Sequence, residues 1–252
     1  MSFFTTSEVT AAMRPRITCH MITSLDGRLH PARWSDPGDD RIDDLVGTHY
    51  EAAAGRLGAE GWIVGRRTMA AFVAQDADPE RLEAPVSRPN HLAERGGRDL
   101  CVAIDPAGRL RFDADHIEGD HAVVILSERV TDAALARLRA AGVSYLFAGP
   151  DGDRLSSALD ALGEAFGVSH LLLEGGGTTN GAFLVAGLID AFSTLICPAL
   201  DGLAGESAIV EHAGPAGSRP AAGQRLQLAA CEALSGGVVW LRHDVERAES
   251  AS

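Results

Sequence analysis

Glu174-Gly175-Gly176-Gly177-Thr178 places a carboxylate and three glycines between an apolar run and a segment with helical character. Residues 169–173 before it have the length and apolarity of a parallel strand covered on both faces. Thr178 reads as a helix cap and Gly187 as the stop, with Ala182, Phe183, Val185 and Ala186 between them. A helix start offers free N–H groups and about half a positive charge, so an anion is stabilised there without a charged side chain. Glycines would let the pyrophosphate of a dinucleotide approach the backbone, and the bland alternative is a tight turn.

Val64-Gly65-Arg66-Arg67-Thr68 repeats the pattern of short strand, glycine and helix start, now with two guanidinium groups and a hydroxyl. Two such turns in one parallel sheet would clamp a single dinucleotide from opposite sides. The alternative is a pair of solvated arginines. Ser127 and Arg129 follow a third apolar run, at the strand end where open α/β sheets bind ligands. They read either as holders of the 2′-phosphate that separates NADPH from NADH or as an exposed loop pair. The usual G-x-G-x-x-G fingerprint is missing.

All 22 basic residues are arginine. Without lysine there is no Schiff-base catalysis, no pyridoxal-phosphate attachment and no P-loop lysine. Cys19, Cys101, Cys197 and Cys231 lie far apart with no C-x-x-C and no histidine at ligand spacing, so they read as reduced core thiols and no metal is expected. A net charge of −13 excludes a nucleic-acid surface, which needs clustered base. No apolar stretch approaches the roughly 18 residues of a membrane span, and residues 1–15 lack a signal-peptide layout, so the expectation is a cytoplasmic protein without a membrane partner.

The elements that must position these residues follow from periodicity. Strands are expected at 16–24, 61–64, 100–105, 122–126, 143–148, 169–173 and 188–197, and helices at 41–57, 66–73, 131–141 and 155–166. Residues 75–98 form a long irregular segment, of the kind a compact domain keeps for a purpose such as a lid. Residues 225–230 and 238–243 flank Ser235-Gly236-Gly237 and should pair antiparallel. The fold class is α/β: a mixed, mainly parallel central sheet flanked by helices, with a C-terminal antiparallel hairpin. A single domain of 252 residues is expected, with its core at about 16–243 and with 1–15 and 244–252 flexible.

Taken together the motifs resemble the C-terminal reductase domain of riboflavin biosynthesis, which shares the dihydrofolate reductase fold. They are Ser24-Leu25-Asp26-Gly27-Arg28, Trp34, Gly65-Arg66-Arg67-Thr68, Ile104-Asp105 with Arg109, Glu174-Gly175-Gly176-Gly177, and Ala186 to Asp190 through Pro198 and Gly202, in the family's order. The resemblance implies that NADPH reduces the ribosyl group of a phosphorylated aminopyrimidine to ribityl. The cofactor would lie along the Gly65–Thr68 and Gly175–Thr178 turns, and the substrate near Ser24, Trp34 and Glu174. Asp26, Glu174 and His20 are the ionisable candidates for catalysis, with Glu174 as proton donor or ribose ligand, unless the adjacent helix start depresses its pKa. Asp26 either contacts substrate or holds its own turn. His20 stands where fused bacterial forms carry lysine, and otherwise reads as a core histidine. Trp34 either covers a ring or packs.

Two departures stand out. The family's Asp-Asp-Pro stretch is only poorly echoed by Ala77-Asp78-Pro79, and no deaminase domain precedes the reductase, so another protein would deaminate the base. The resemblance also implies a homodimer, and the apolar strand at 192–197 would supply part of its interface. Two other readings remain: a reductase of a pterin, flavin or other small heterocycle, and an inactive nucleotide-binding module.

Overall fold

The computed structural model describes residues 14–38 and 41–248. Its strands are β1 (Arg16–Ser24), β2 (Gly61–Gly65), β3 (Ala74–Gln75), β4 (Leu100–Ile104), β5 (Leu110–Arg111), β6 (His116–Ile117), β7 (Asp120–Leu126), β8 (Ser144–Phe147), β9 (His170–Leu173), β10 (Ala191–Cys197), β11 (Gln224–Ala233) and β12 (Val239–Arg247). The helices are α1 (Ile42–Leu57), α2 (Arg66–Met69), α3 (Asp132–Ala140), α4 (Leu155–Phe166) and α5 (Gly177–Val185). The main sheet runs β11-β12-β10-β1-β9-β2-β4-β7, and β7 also carries β6 and β8. From β10 across to β7 and β8 the path is parallel, whereas β12, β11 and β6 join it antiparallel. This is the expected mixed sheet of the dihydrofolate reductase-like fold, closed by a C-terminal hairpin.

Apolar alternation divides the core into three clusters. Ile17, Cys19, Ile63, Val102, Ile125 and Leu173 face α4 and α5 on one side of the sheet. On the other side Val64, Cys101, Ala103 and Val124 meet α2 and α3, while Leu195, Cys197 and Trp240 meet α1. The last two clusters leave a gap between α1 and α2, above β2 and β9. That gap becomes the cleft described below.

Several expectations need correction. Strand β10 begins at Ala191 rather than Leu188, because Asp190 is held as a hub by both Arg14 nitrogens at 2.7 Å, the Ile17 amide at 2.9 Å and Arg247 at 3.2 Å. Residues 244–247 do not fray: they continue β12 against β11 as far as the Gln224–Arg247 pair. Residues 1–13 and 249–252 of the expected flexible ends lie outside the described residues. The segment 75–98 is strung along the outer side of β7 and β8. Leu82 and Val86 amides donate to Arg129 and Glu128 carbonyls at 2.8 and 2.9 Å, and His91 pairs with Tyr145. Bound there, it does not cover the cleft.

One face of β10, β12 and β11 stays open. Register puts Phe192, His243 and Leu228 on that face, and Leu226 and Leu228 are 58% and 57% exposed. Cys231, opposite Leu241, shares the face and is exposed, whereas Cys19, Cys101 and Cys197 are buried.

Candidate active site

Parallel pairing of β2 with β9 sets both glycine turns side by side at the carboxyl edge of the sheet. They are neighbours, not opposing jaws. The Gly65 amide donates to the Gly175 carbonyl at 2.7 Å, and a Cβ on Gly65 would lie 2.1 Å from Thr179 Oγ1. A side chain at Gly65 would therefore push the turns apart. At Gly176 a Cβ would meet only Thr68 Oγ1, at 3.8 Å, which leaves open space between the two turns. That opening, beside the nine-residue helix α5, suits an anionic group of a dinucleotide.

The other glycines of the motif serve a different contact. A Cβ on Gly177 or Gly181 would lie 2.3 Å from the Ala208 carbonyl or 1.8 Å from the Glu211 carbonyl. The Glu211 amide donates to Gly177 at 2.9 Å, and Asn180 Nδ2 donates to Ile209 at 2.7 Å. Gly177 is thus buried under the 208–211 segment rather than offered to a ligand. Nor does Thr178 cap the helix. Helix α5 starts at Gly177 behind an extended Gly176, which leaves Thr178 exposed inside the first turn, too late to accept from the first amides.

Glu174 stands between these turns and the cleft, a cavity of about 520 Å³ above β2 and β9 bordered by α1 and α2. Burial, reinforced by the Glu51 carboxylate, pushes its carboxyl up to about 8. The adjacent helix start does not depress it; desolvation wins, which favours the protonated form at neutral pH. Tyr50 touches this carboxyl while its hydroxyl donates to the His20 carbonyl at 3.1 Å. Thr68, Trp62 and Phe72 complete the cleft on the far side.

The remaining candidates fall elsewhere. His20 is fully buried, bonded to Ser193 Oγ at 2.9 Å and to the Tyr50 carbonyl at 3.2 Å, and stacked on the Tyr50 ring at 4.5 Å. Burial lowers its pKa to about 4, so it is a neutral core histidine behind Tyr50. Ser24 is buried; its hydroxyl donates to Asp26 at 2.7 Å and accepts from the Arg28 amide at 3.0 Å. Asp26 also accepts from the Asp201 and Gly202 amides at 3.1 and 2.8 Å, and these bonds hold its carboxyl well below the usual range. It cannot donate a proton near neutrality. In the β1–β9 register Ser24 lies five residues beyond the Cys19–Leu173 pair, about 16 Å along the strand. The Ser24–Asp26 turn is therefore a structural clasp outside the cleft.

Trp34 is buried at 7% exposure in the α1 cluster and covers no ligand surface. Ser127 is fully buried and donates to the Pro106 carbonyl at 2.6 Å. Arg129 is tied to Asp151 at 2.9 Å and to the Glu83 carbonyl. Neither is presented to a 2′-phosphate. Arg66 is bonded to Gln75, whereas Arg67 is exposed and makes no ion pair among the described residues. No group of metal-ligating side chains occurs among the described residues, and no described helix is long and apolar enough to cross a membrane. Sequence reasoning missed Tyr50, Trp62 and Phe72. Tyr50 belongs to the apolar periodicity of α1, which by itself does not mark it as part of the cleft wall.

The family model described as the RibD C-terminal domain matches residues 15–240. No curated protein matches the chain. Among solved structures it is similar to a pyrimidine reductase-like protein of Corynebacterium diphtheriae, 19% identical over 93% of each chain with a TM-score of 0.62. It is also similar to RibD of Acinetobacter baumannii, 22% identical with a TM-score of 0.60, over 92% of this chain and 58% of that one. The riboflavin biosynthesis reductase of Saccharomyces cerevisiae is 18% identical over 96% of this chain and 93% of its own, with a TM-score of 0.54. At these identities the structural likeness shows the fold.

Proposed function

This chain belongs to the RibD C-terminal domain family, and on that premise we propose that it is an NADPH-dependent reductase of a small amino-substituted heterocycle. The observation that carries this reading is the position of Glu174 at the junction of the two glycine turns and the cleft, where burial pushes its carboxyl up to about 8. The chemistry supplied by bound NADPH is hydride donation. Gly176 leaves room between the turns where the phosphates of NADPH would lie, and Thr68 and the exposed Arg67 would supply a hydroxyl and a guanidinium to hold them. Glu174, kept neutral by burial, holds a proton at the carboxyl that faces the cleft, where it meets the negative charge that hydride acceptance develops on a substrate nitrogen. Tyr50 fixes that carboxyl, and His20 backs Tyr50 by stacking. Asp26 and Ser24 hold the turn at the end of β1.

The finer form of the reading is the riboflavin-pathway reaction, in which a ribosylaminopyrimidine 5′-phosphate is reduced to its ribityl product. The order of the motifs and the family model support it. Trp34, Ser127 and Arg129 drop out of the proposed site because their side chains are enclosed or engaged. The open apolar face of β10, β12 and β11 supports the homodimer that the family suggests.

The test is direct. NADPH should raise the melting temperature of the protein by several degrees more than NADH at equal concentration, and should be oxidised when an aminopyrimidine riboside or its phosphate is added. Absence of stabilisation by either nucleotide would sink the reading. Stabilisation without oxidation of NADPH on any heterocycle would favour a binding module.

A further inference from the structure

Behind Tyr50, on the α1 side of the sheet, three polar side chains form a line that ends at the cleft. The parallel register sets His20 of β1 directly beside Ser193 of β10, and Trp240 of β12 pairs with Leu195, two residues further along β10. All three are at most 1% exposed, so each polar atom depends on a partner within the protein. Trp240 Nε1 donates to Ser193 Oγ at 2.8 Å. His20 Nδ1 lies 2.9 Å from the same oxygen, and His20 Nε2 lies 3.2 Å from the Tyr50 carbonyl.

Donors and acceptors give this line one direction. An indole N–H only donates, and a peptide carbonyl only accepts. The proton of neutral His20 therefore sits on Nε2, aimed at Tyr50, and Nδ1 accepts from the Ser193 hydroxyl. Burial keeps the ring neutral by lowering its pKa to about 4. Tyr50 answers with its hydroxyl, which donates to the His20 carbonyl at 3.1 Å, and its ring lies over the imidazole with the planes 26° apart. Tyr50 is thus tied to β1 through its backbone, ring and hydroxyl. The same phenol touches the Glu174 carboxyl. Both hydrogen bonds between His20 and Tyr50 end on a backbone carbonyl, so the line orients groups and does not conduct protons.

A fully paired buried network specifies one arrangement of its members. We propose that Ser193, acting through His20 and Tyr50, is a positioning residue that sets where the Glu174 carboxyl stands in the cleft, with Trp240 anchoring the far end of the line. This rests on the reductase reading above and deepens it. The charged groups that share the cavity with Glu174 are Glu51 of α1, Asp99 before β4, and Glu118 and Asp120 where β6 turns into β7. All of them remain in the variants below. A change in the titration of Glu174 therefore reports Tyr50, whose contact lowers the Glu174 pKa against the effect of burial.

Infrared titration of the protonated carboxyl band, with Glu174→Gln as the blank, reads Glu174 without turnover. Its midpoint should lie near the expected value of about 8 in the wild type. Ser193→Ala should move that midpoint to higher pH, as Tyr50→Phe does, and should add nothing further in the Tyr50→Phe background. On a heterocycle that the enzyme reduces, Ser193→Ala should lower kcat about tenfold or more with KM within about twofold of the parent. Ser193→Thr, which keeps the hydroxyl, should restore the midpoint and the rate. Nitrogen-15 spectra of the wild-type histidines need no variant, and they should show His20 protonated on Nε2 alone at neutral pH. A proton on Nδ1, an unmoved midpoint in folded Ser193→Ala, or additive shifts in the double variant would overturn the proposal. A failure of the reductase reading looks different: the midpoints move as stated, and NADPH is not oxidised on any heterocycle.

Discussion

Glu174 carries the chemical argument, and its protonation state can be checked twice over. Its carboxyl goes from about 4.5 in the unfolded chain to about 8 in the native one, so the folded state holds the extra proton between those limits. Stability is therefore greatest below the lower limit and declines as pH rises through the upper one. Glu174→Gln should abolish that decline, so that its melting temperature overtakes that of the wild type in alkaline buffer. The same substitution should cut kcat by roughly 100-fold or more while NADPH still stabilises the fold, because only the transferable proton is lost. In the wild type kcat should fall above about pH 8. Contact with Tyr50 lowers the Glu174 pKa against the effect of burial, so Tyr50→Phe should move that limb to higher pH, a displacement that loss of packing alone would not produce. At the phosphate side, Gly176→Val should weaken NADPH binding about tenfold or more, measured by fluorescence titration; unchanged affinity would remove the turn from the cofactor site. The carboxylate and the glycines were legible because residue type and order mark them. Tyr50 was not, since a phenol within an apolar helical stripe is indistinguishable from core until the facing strand is known.

At the scale of elements, local pattern was sufficient wherever local physics decides. Strand β1 and helix α4 have the bounds that apolar runs and the Gly167 stop predict, with Leu155, Leu159, Leu162 and Phe166 all turned inward. The start of α5 was misjudged because its N-cap is a backbone conformation at Gly176, with no capping hydroxyl to mark it. The function of Gly177 and Gly181 was equally hidden. Their lack of a side chain answers to residues 208–211, some thirty positions later in a stretch without periodicity, and nothing local encodes that approach. Gly181→Ala should therefore cost about 1–3 kcal/mol through overpacking against the Glu211 carbonyl. It should also loosen the 201–223 segment, seen as faster cleavage there in limited proteolysis. A variant that resists protease as well as the parent would refute that role for the glycine.

Across the whole molecule, the sheet is finished on one side and unfinished on the other. Helix α1 covers Leu195 and Trp240, but the reverse face of the same strands leaves Leu226 and Leu228 in water. If two copies share this face, Leu228→Glu should turn a dimer into a monomer in analytical ultracentrifugation and leave NADPH binding in place; a monomeric wild type would end the idea. The hairpin strands proved longer than the sequence suggested, because their pairing out to Gln224 and Arg247 is supported by the Asp190 hub rather than by buried apolar residues of their own. The same face also bears Cys231. Burial holds the thiols of Cys19, Cys101 and Cys197 above their ordinary range and away from reagents, so a single sulfur in the native chain is open to alkylation. If copies of the chain pair across this face, the rate at which a maleimide consumes Cys231 will report, without any engineered label, how much of the time that strand is covered.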